Sequence, residues 1–226
     1  MGTLPHLRAV LFDLDDTLYD YGTFWIGRLN RAVDDVVARD PRIDRAMLAQ
    51  AAVAEWVLME HWPDFLRRHG VADEDLIAAT HAAFMRGWFD DMTLPEDAAL
   101  VLETLRSRYK IGLITNGPSH IQRHKIERFG LAERMDLLVV SGEFGVHKPD
   151  PAIFQHAITE LNVAPDEALF VGDSLEYDLP GAAAAGLPFV WFNRWNKTLP
   201  EDVPAPVAII EHLESLLALV MQENAC

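Results

Sequence analysis

The stretch RAVLFDLDDTLYD, running from Arg8 to Asp20, decides how the rest of the chain is read. Ala9, Val10, Leu11 and Phe12 form a short continuous apolar run, the pattern of a strand buried on both faces. The run ends abruptly in Asp13, Asp15 and Asp16, with Thr17 close behind. Like charges repel, and desolvation adds to the cost of a carboxylate cluster at the end of a buried strand. A divalent cation among the oxygens, with a phosphoryl group beyond it, makes the cluster tolerable. Taken alone, the same acids would serve equally well to end a strand and cap a turn.

Outward from this strand the pattern is helical from Gly22 to about Asp91. Trp25, Ile26, Leu29, Val33, Val36 and Val37 recur at spacings of three and four, and Pro41, Pro63 and Gly70 punctuate the helices. From Leu94 helix and strand alternate. Helices are expected at Glu96–Arg108, Ser119–Phe129, Pro151–Leu161, around Leu179–Ala185 and at Glu211–Gln222. Strands are expected at Ile111–Thr115, Leu137–Val140, Ala168–Val171, Phe189–Phe192 and, as an edge, Val207–Ile210. Such alternation implies an α/β fold, a Rossmann-like parallel sheet with helices on both faces. The helical block is then an α-helical cap inserted after the first strand. The expected domains are a core of residues 1–18 and 94–226 and a cap of residues 19–93.

Composition narrows the function. The 226 residues carry 35 Asp and Glu against 19 Lys and Arg, a net charge of −16, which repels phosphate backbones and anionic lipid. No nucleic-acid polymer and no membrane partner is therefore expected. The single cysteine, Cys226, leaves no intramolecular disulfide and no cysteine metal site. With no signal-like N-terminal run and no apolar stretch approaching the roughly 18 residues of a membrane span, a cytoplasmic location is expected.

In an open parallel sheet, ligands collect outside the carboxyl ends of the strands. The first strand delivers Asp13 and Asp15 to that rim. The second delivers Thr115, Asn116 and Gly117 ahead of a helix whose N-terminal amides suit an anion, and the third leads to Lys148 before Pro149. The fourth delivers Gly172 and Asp173, followed by Asp178. Each piece alone is a common turn or a solvated charge. Together they place a hydroxyl, one cation and several carboxylates in an order that suits phosphoryl chemistry.

Asp13-Leu-Asp15-Asp-Thr17, Thr115-Asn-Gly117, Lys148-Pro149 and Gly172-Asp173 with Asp178 resemble the four motifs of the haloacid dehalogenase superfamily over essentially the whole chain. Asp15 to Leu18 and Val190 to Trp195 resemble, more loosely, its 5'-nucleotidase and N-acylneuraminate-9-phosphatase branch. The resemblance implies a phosphatase acting on a nucleotide or sugar phosphate. Asp13 would be the nucleophile, and Asp15 the acid and then the base. Mg²⁺ would be held by Asp13, Asp173 and the backbone carbonyl of Asp15. Thr115, Asn116, Gly117 and Lys148 would bind the phosphoryl oxygens, and Lys148 alone could not neutralise the converging acids. Thr17 would support the loop, and Asp178 would orient Lys148 or a metal-bound water. The implied partner is a small phosphorylated metabolite, and the implied assembly a monomer or homodimer.

The alternatives differ in chemistry. A 2-haloacid dehalogenase uses an aspartate nucleophile without metal, and its second acid is typically not Asp, which Asp15 contradicts. A phosphonatase needs a cap lysine, yet the first lysine of the chain is Lys110, beyond the cap. A phosphomutase remains open, although Gly follows the second acid in the best-known mutases where Asp16 stands here. An idle regulatory or binding subunit would have no reason to keep Asp13, Asp15, Lys148 and Asp173. In the cap, Trp25, Trp56, Trp62 and Trp88 are expected in the core, and His61, His69 and His81 share no metal-ligand spacing. Tyr19, Asp20 and Arg28 are the expected substrate contacts.

Overall fold

The computed structural model describes residues 6–221, so Gln222 and Cys226 lie outside it. The chain forms two compact units. One comprises the residues up to Asp20 together with those from Met92 on, and the other is Tyr21–Asp91.

The first unit is built on a six-stranded, all-parallel sheet of order β3-β2-β1-β4-β5-β6. Its strands are β1 (Ala9–Phe12), β2 (Lys110–Thr115), β3 (Leu137–Val140), β4 (Ala168–Gly172), β5 (Phe189–Phe192) and β6 (Ala208–Ile210). All four residues of β1 are fully buried, because neighbouring strands pair with both of its edges and helices cover the sheet. Helices α5 (Glu96–Arg106) and α10 (Ser215–Met221) pack on one another, as do α8 (Pro151–Glu160) and α9 (Asp178–Ala184). The expected strands and helices all form, with boundaries shifted by a few residues. Between β3 and Lys148, where the sequence reading placed no element, Ser141–Phe144 makes a short helical turn, α7, closed by Gly145 at φ 98°. The Lys197–Pro206 segment is a loop, as its three prolines imply.

Strand order brings the distant acids together. The chain leaves β1 towards β2 on one side, while β4 pairs with the other edge of β1. The reversal between β1 and β4 is the crevice where an open sheet binds ligands. Register sets the fine position. Phe12 pairs with Val171, and the N–H of Asp13 donates to the Val171 carbonyl at 3.0 Å, so Asp13 stands beside Gly172 and Asp173.

The second unit holds α1 (Tyr21–Arg39), α2 (Arg45–Ala54), α3 (Trp62–Arg68) and α4 (Glu74–Met85). Asp44 and Asp73 cap α2 and α4, each carboxylate accepting from two backbone amides of the first turn. The stripe of α1 buries Trp25, Leu29, Val33 and Val36. Around it aromatic rings interlock: Trp25 on Trp88 at 4.8 Å, Trp62 on Phe84 at 5.1 Å and Trp62 on Phe65 at 5.4 Å. Trp25, Trp62 and Trp88 are core residues as expected, whereas Trp56 is 43% exposed. It follows the end of α2 at φ 47°, a left-handed turn that leads the chain out of the helix. Among the described residues, no helix is long and apolar enough to cross a membrane.

Candidate active site

The rim of the sheet at β1, β2 and β4 opens into a cavity of about 250 Å³, lined by Asp13, Asp15, Thr115, Asn116, Lys148, Asp173, Ser174, Tyr177 and Asp178. Seven of these nine residues are ones the sequence points to, and they arrive from four separate segments.

Asp13 follows β1 directly and is 6% exposed. Lys148 Nζ donates to Asp13 Oδ1 at 2.5 Å and to Asp178 Oδ1 at 2.7 Å, and Thr17 Oγ1 reaches Asp13 Oδ2 at 3.4 Å. Asp178 Oδ2 also accepts from the Ser174 amide at 3.1 Å, so both of its oxygens are committed. Its close seat depends on Gly172, since a Cβ there would come within 2.3 Å of Asp178 Oδ2. Asp178 thus acts on Lys148, one of the two roles expected of it.

One ammonium faces three acids here, and the electrostatics follow. Burial holds the Asp13 carboxyl well above its ordinary range; Lys148 opposes this, while Asp178 and Asp173 add to it. Asp173 is pushed up to about 7, first by burial and then by Asp178 and Asp16, against Lys148 and Lys197. For Lys148 burial would lower the pKa, but the adjacent Asp13 and Asp178 carboxylates raise it above the usual value and keep it an ammonium. Carboxylate oxygens of Asp13, Asp173 and Asp178 all lie within 4.8 Å of one another. These are hard oxygen donors whose negative charge one lysine does not balance, the donor chemistry that Mg²⁺ prefers.

A second cation stands behind the acids: the Asp15 carboxylate is turned to Lys125, whose Nζ lies 2.8 Å from each of its oxygens. Asp13 and Asp173, two of the residues expected at a metal, have carboxylate oxygens close together with Asp178, and Asp15 is expected to contribute its backbone carbonyl rather than its side chain. Asn116 and Gly117 are engaged within the protein. The Asn116 side chain donates to the Lys148 carbonyl at 3.0 Å and accepts from the Lys148 amide at 2.9 Å, and the Gly117 N–H donates to Ser141 Oγ at 3.0 Å. These bonds fasten the β2 loop to the Lys148 and α7 segments, while Asn116 also lines the cavity. Gly117 is required there by its φ of 141°.

The residues expected to contact substrate have packing and pairing roles. Tyr19 packs on Phe129 at 4.9 Å, and Asp20 pairs with Arg194 at 2.8 Å. Arg28 donates to the carbonyls of Phe84 at 2.6 Å and Arg86 at 3.1 Å, tying α1 to the end of α4.

Gln122 and Lys125 were not singled out in the sequence. They stand on α6 (Ser119–Arg128), which buries Gln122, Lys125 and Ile126 and is otherwise strongly polar. Two polar residues three apart on the inward face of a helix were the available signal.

Residues 7–186 match the family described as haloacid dehalogenase-like hydrolase. The chain is 30% identical to human N-acylneuraminate-9-phosphatase over 96% of its own length and 95% of that protein. It is 41% identical to a phosphoserine phosphatase of Thermus thermophilus, over 49% of this chain and 44% of that protein. Among solved structures, a hydrolase of the same superfamily from Geobacter sulfurreducens superposes with a TM-score of 0.71 at 23% identity, covering 96% of this chain and 97% of that one, a likeness of fold. The four segments that meet at one sheet rim are those the family match spans, and the chain belongs to the haloacid dehalogenase-like hydrolases.

Proposed function

We propose that the chain hydrolyses small phosphomonoesters, such as nucleotide or sugar phosphates, with the help of Mg²⁺ and through an aspartyl phosphate on Asp13. The enzyme class is that of a phosphatase, the activity by which its full-length relatives are named. One observation carries the reading. A buried aspartate at a strand end is held by a lysine whose second partner is another buried aspartate, with a small cavity in front of it.

In the first step a carboxylate oxygen of Asp13 attacks phosphorus. The bond from phosphorus to the leaving oxygen breaks, its electron pair stays on that oxygen, and the Asp15 carboxyl supplies the proton. In the second step the Asp15 carboxylate takes a proton from water as the water oxygen bonds to phosphorus. The acyl-phosphate bond then breaks, returning the Asp13 carboxylate and releasing inorganic phosphate. Lys148 and the Thr115 hydroxyl stabilise the equatorial oxygens as charge spreads over them. Asp178 keeps the Lys148 ammonium directed at Asp13. Asp13 and Asp173, with the Asp15 carbonyl, would hold the Mg²⁺. When bound, the ion offsets the charge of these carboxylates and of the phosphoryl group.

Phosphate release from a panel of nucleotides, sugar phosphates and sialic-type phosphates, with and without chelator, tests the proposal. Chelation should reduce turnover to background and added Mg²⁺ should restore it. Full activity in excess chelator overturns the metal-assisted reading, and halide release from 2-haloacids would put a dehalogenase in its place.

A further inference from the structure

We infer that Lys125 and Gln122 form a clamp that positions the Asp15 carboxylate for both proton transfers, which makes Lys125 a positioning residue acting through Asp15. The inference rests on the acid/base role proposed for Asp15. Lys125 is buried to 2% exposure and grips both Asp15 oxygens at 2.8 Å. Gln122, equally buried, points one amide nitrogen at Asp15 Oδ2 (3.0 Å), Thr115 Oγ1 (2.5 Å) and the Asn116 carbonyl (3.0 Å). The clamped carboxylate keeps 26% of its surface exposed and lines the cavity beside Asp13. It is therefore held from behind and open in front.

Stability alone does not account for this arrangement. A buried ion pair returns little net stability, since desolvation of both charges offsets their attraction. Burying a lysine and a glutamine on the inward face of α6 is costly where aliphatic side chains would pack freely. What the two side chains share is Asp15, which both of them bond and which lines the cavity, as does Thr115, the second side chain that Gln122 reaches. Asp15 sits in a tight turn where Asp16 adopts φ 63°. A carboxylate on such a turn needs external partners to hold one rotamer against Asp13.

The clamp predicts a step-selective defect. In Lys125→Met, phosphorylation of Asp13 by p-nitrophenyl phosphate, whose leaving group needs little acid help, should stay within about threefold of the parent. Phosphorylation by phenyl phosphate and hydrolysis of the phospho-enzyme should each fall by roughly tenfold to a hundredfold, with KM little changed. Intact-mass measurement on quenched samples should show phospho-enzyme accumulating at steady state. Gln122→Ala should show the same signature more weakly, and supplies the test should Lys125→Met not fold. Lys110→Met, which removes a lysine bonded to the Leu161 carbonyl, should show no step selectivity.

Parent-like rates for both variants, or a fall in phosphorylation by p-nitrophenyl phosphate as large as the fall in phospho-enzyme hydrolysis, overturns the clamp. Asp15→Asn run alongside separates the two claims. If Asp15→Asn traps phospho-enzyme and the clamp variants do not, the clamp alone fails. If Asp15→Asn does not trap it, the acid/base reading of Asp15 fails, and the clamp with it.

Discussion

At the sheet rim, Lys148 and Lys125 are 3% and 2% exposed and each grips carboxylates that are themselves largely enclosed. In the helical unit, Arg42, Arg45, Arg67 and Arg68 also pair with carboxylates at 2.6–2.8 Å, yet all four remain between 46% and 89% exposed. Distances are alike and environments opposite. The exposed pairs are screened by water and loosely ordered, so each is nearly dispensable to the fold. The buried ones sit where desolvation penalises every charge, and removing one partner strands the other. The helical unit derives its stability from rings, Trp25, Trp62, Phe65, Phe84 and Trp88, while the rim keeps charges that a core would reject. Charge kept at that cost is the reason the proposed chemistry is assigned to this rim.

The sharpest way to break this contrast is Asp13→Asn, which preserves shape and removes the nucleophile. Its kcat/KM should fall by about 10⁴-fold or more, equivalent to roughly 5.5 kcal/mol of transition-state stabilisation. Turnover within tenfold of the parent would falsify the nucleophile assignment. Lys148→Met comes next. Loss of its ammonium should lower kcat by about 10²- to 10³-fold, and leaving Asp13 and Asp178 facing each other should lower stability by about 3 kcal/mol. Urea unfolding together with phosphate release measures both. An active, fully stable variant would show that the buried pair is ornamental.

Within the helical unit, Trp62→Ala should cost about 3 kcal/mol by opening a cavity among Phe65, Phe84 and the buried face of α4, seen as an earlier unfolding transition. A loss below about 1 kcal/mol would show that the rings do not carry this unit. The smallest effect belongs to Arg67→Met. It breaks two surface pairs, with Asp64 and Glu74, and should leave Tm within about two degrees of the parent. A shift as large as that of Lys148→Met would erase the distinction between rim and surface.

Much of the site was legible because it is local. Asp13, Thr115, Lys148 and Asp173 each sit at or just past the end of a recognisable segment, and the end of a buried strand is where a polar residue draws attention. Gln122 and Lys125 escaped notice because a lysine on a polar helix reads as solvated until its face is known. What Asn116 and Gly117 bond to within the protein was equally illegible, because the partners, Lys148 and Ser141, lie 32 and 24 positions away.

The sequence by itself determined the alternation of strands and helices, the helical insertion after β1 and the chemical types gathered at the strand ends. Hydrophobic period, helix caps and glycine or proline breaks act over a few residues, and a linear reading contains them. Only the tertiary structure decided which strands are neighbours, and so which acids meet. Asp13 and Asp173 share a crevice because β4 rather than β2 lies on that edge of β1. The partners of the two buried lysines were decided in the same way. Asp15 and Lys125 are 110 positions apart, Asp13 and Lys148 135 apart, and no local pattern encodes which side chains face each other across a folded sheet. That pairing follows from packing the whole sheet at once, because burial of each charge is tolerable only when its partner arrives from another strand or helix.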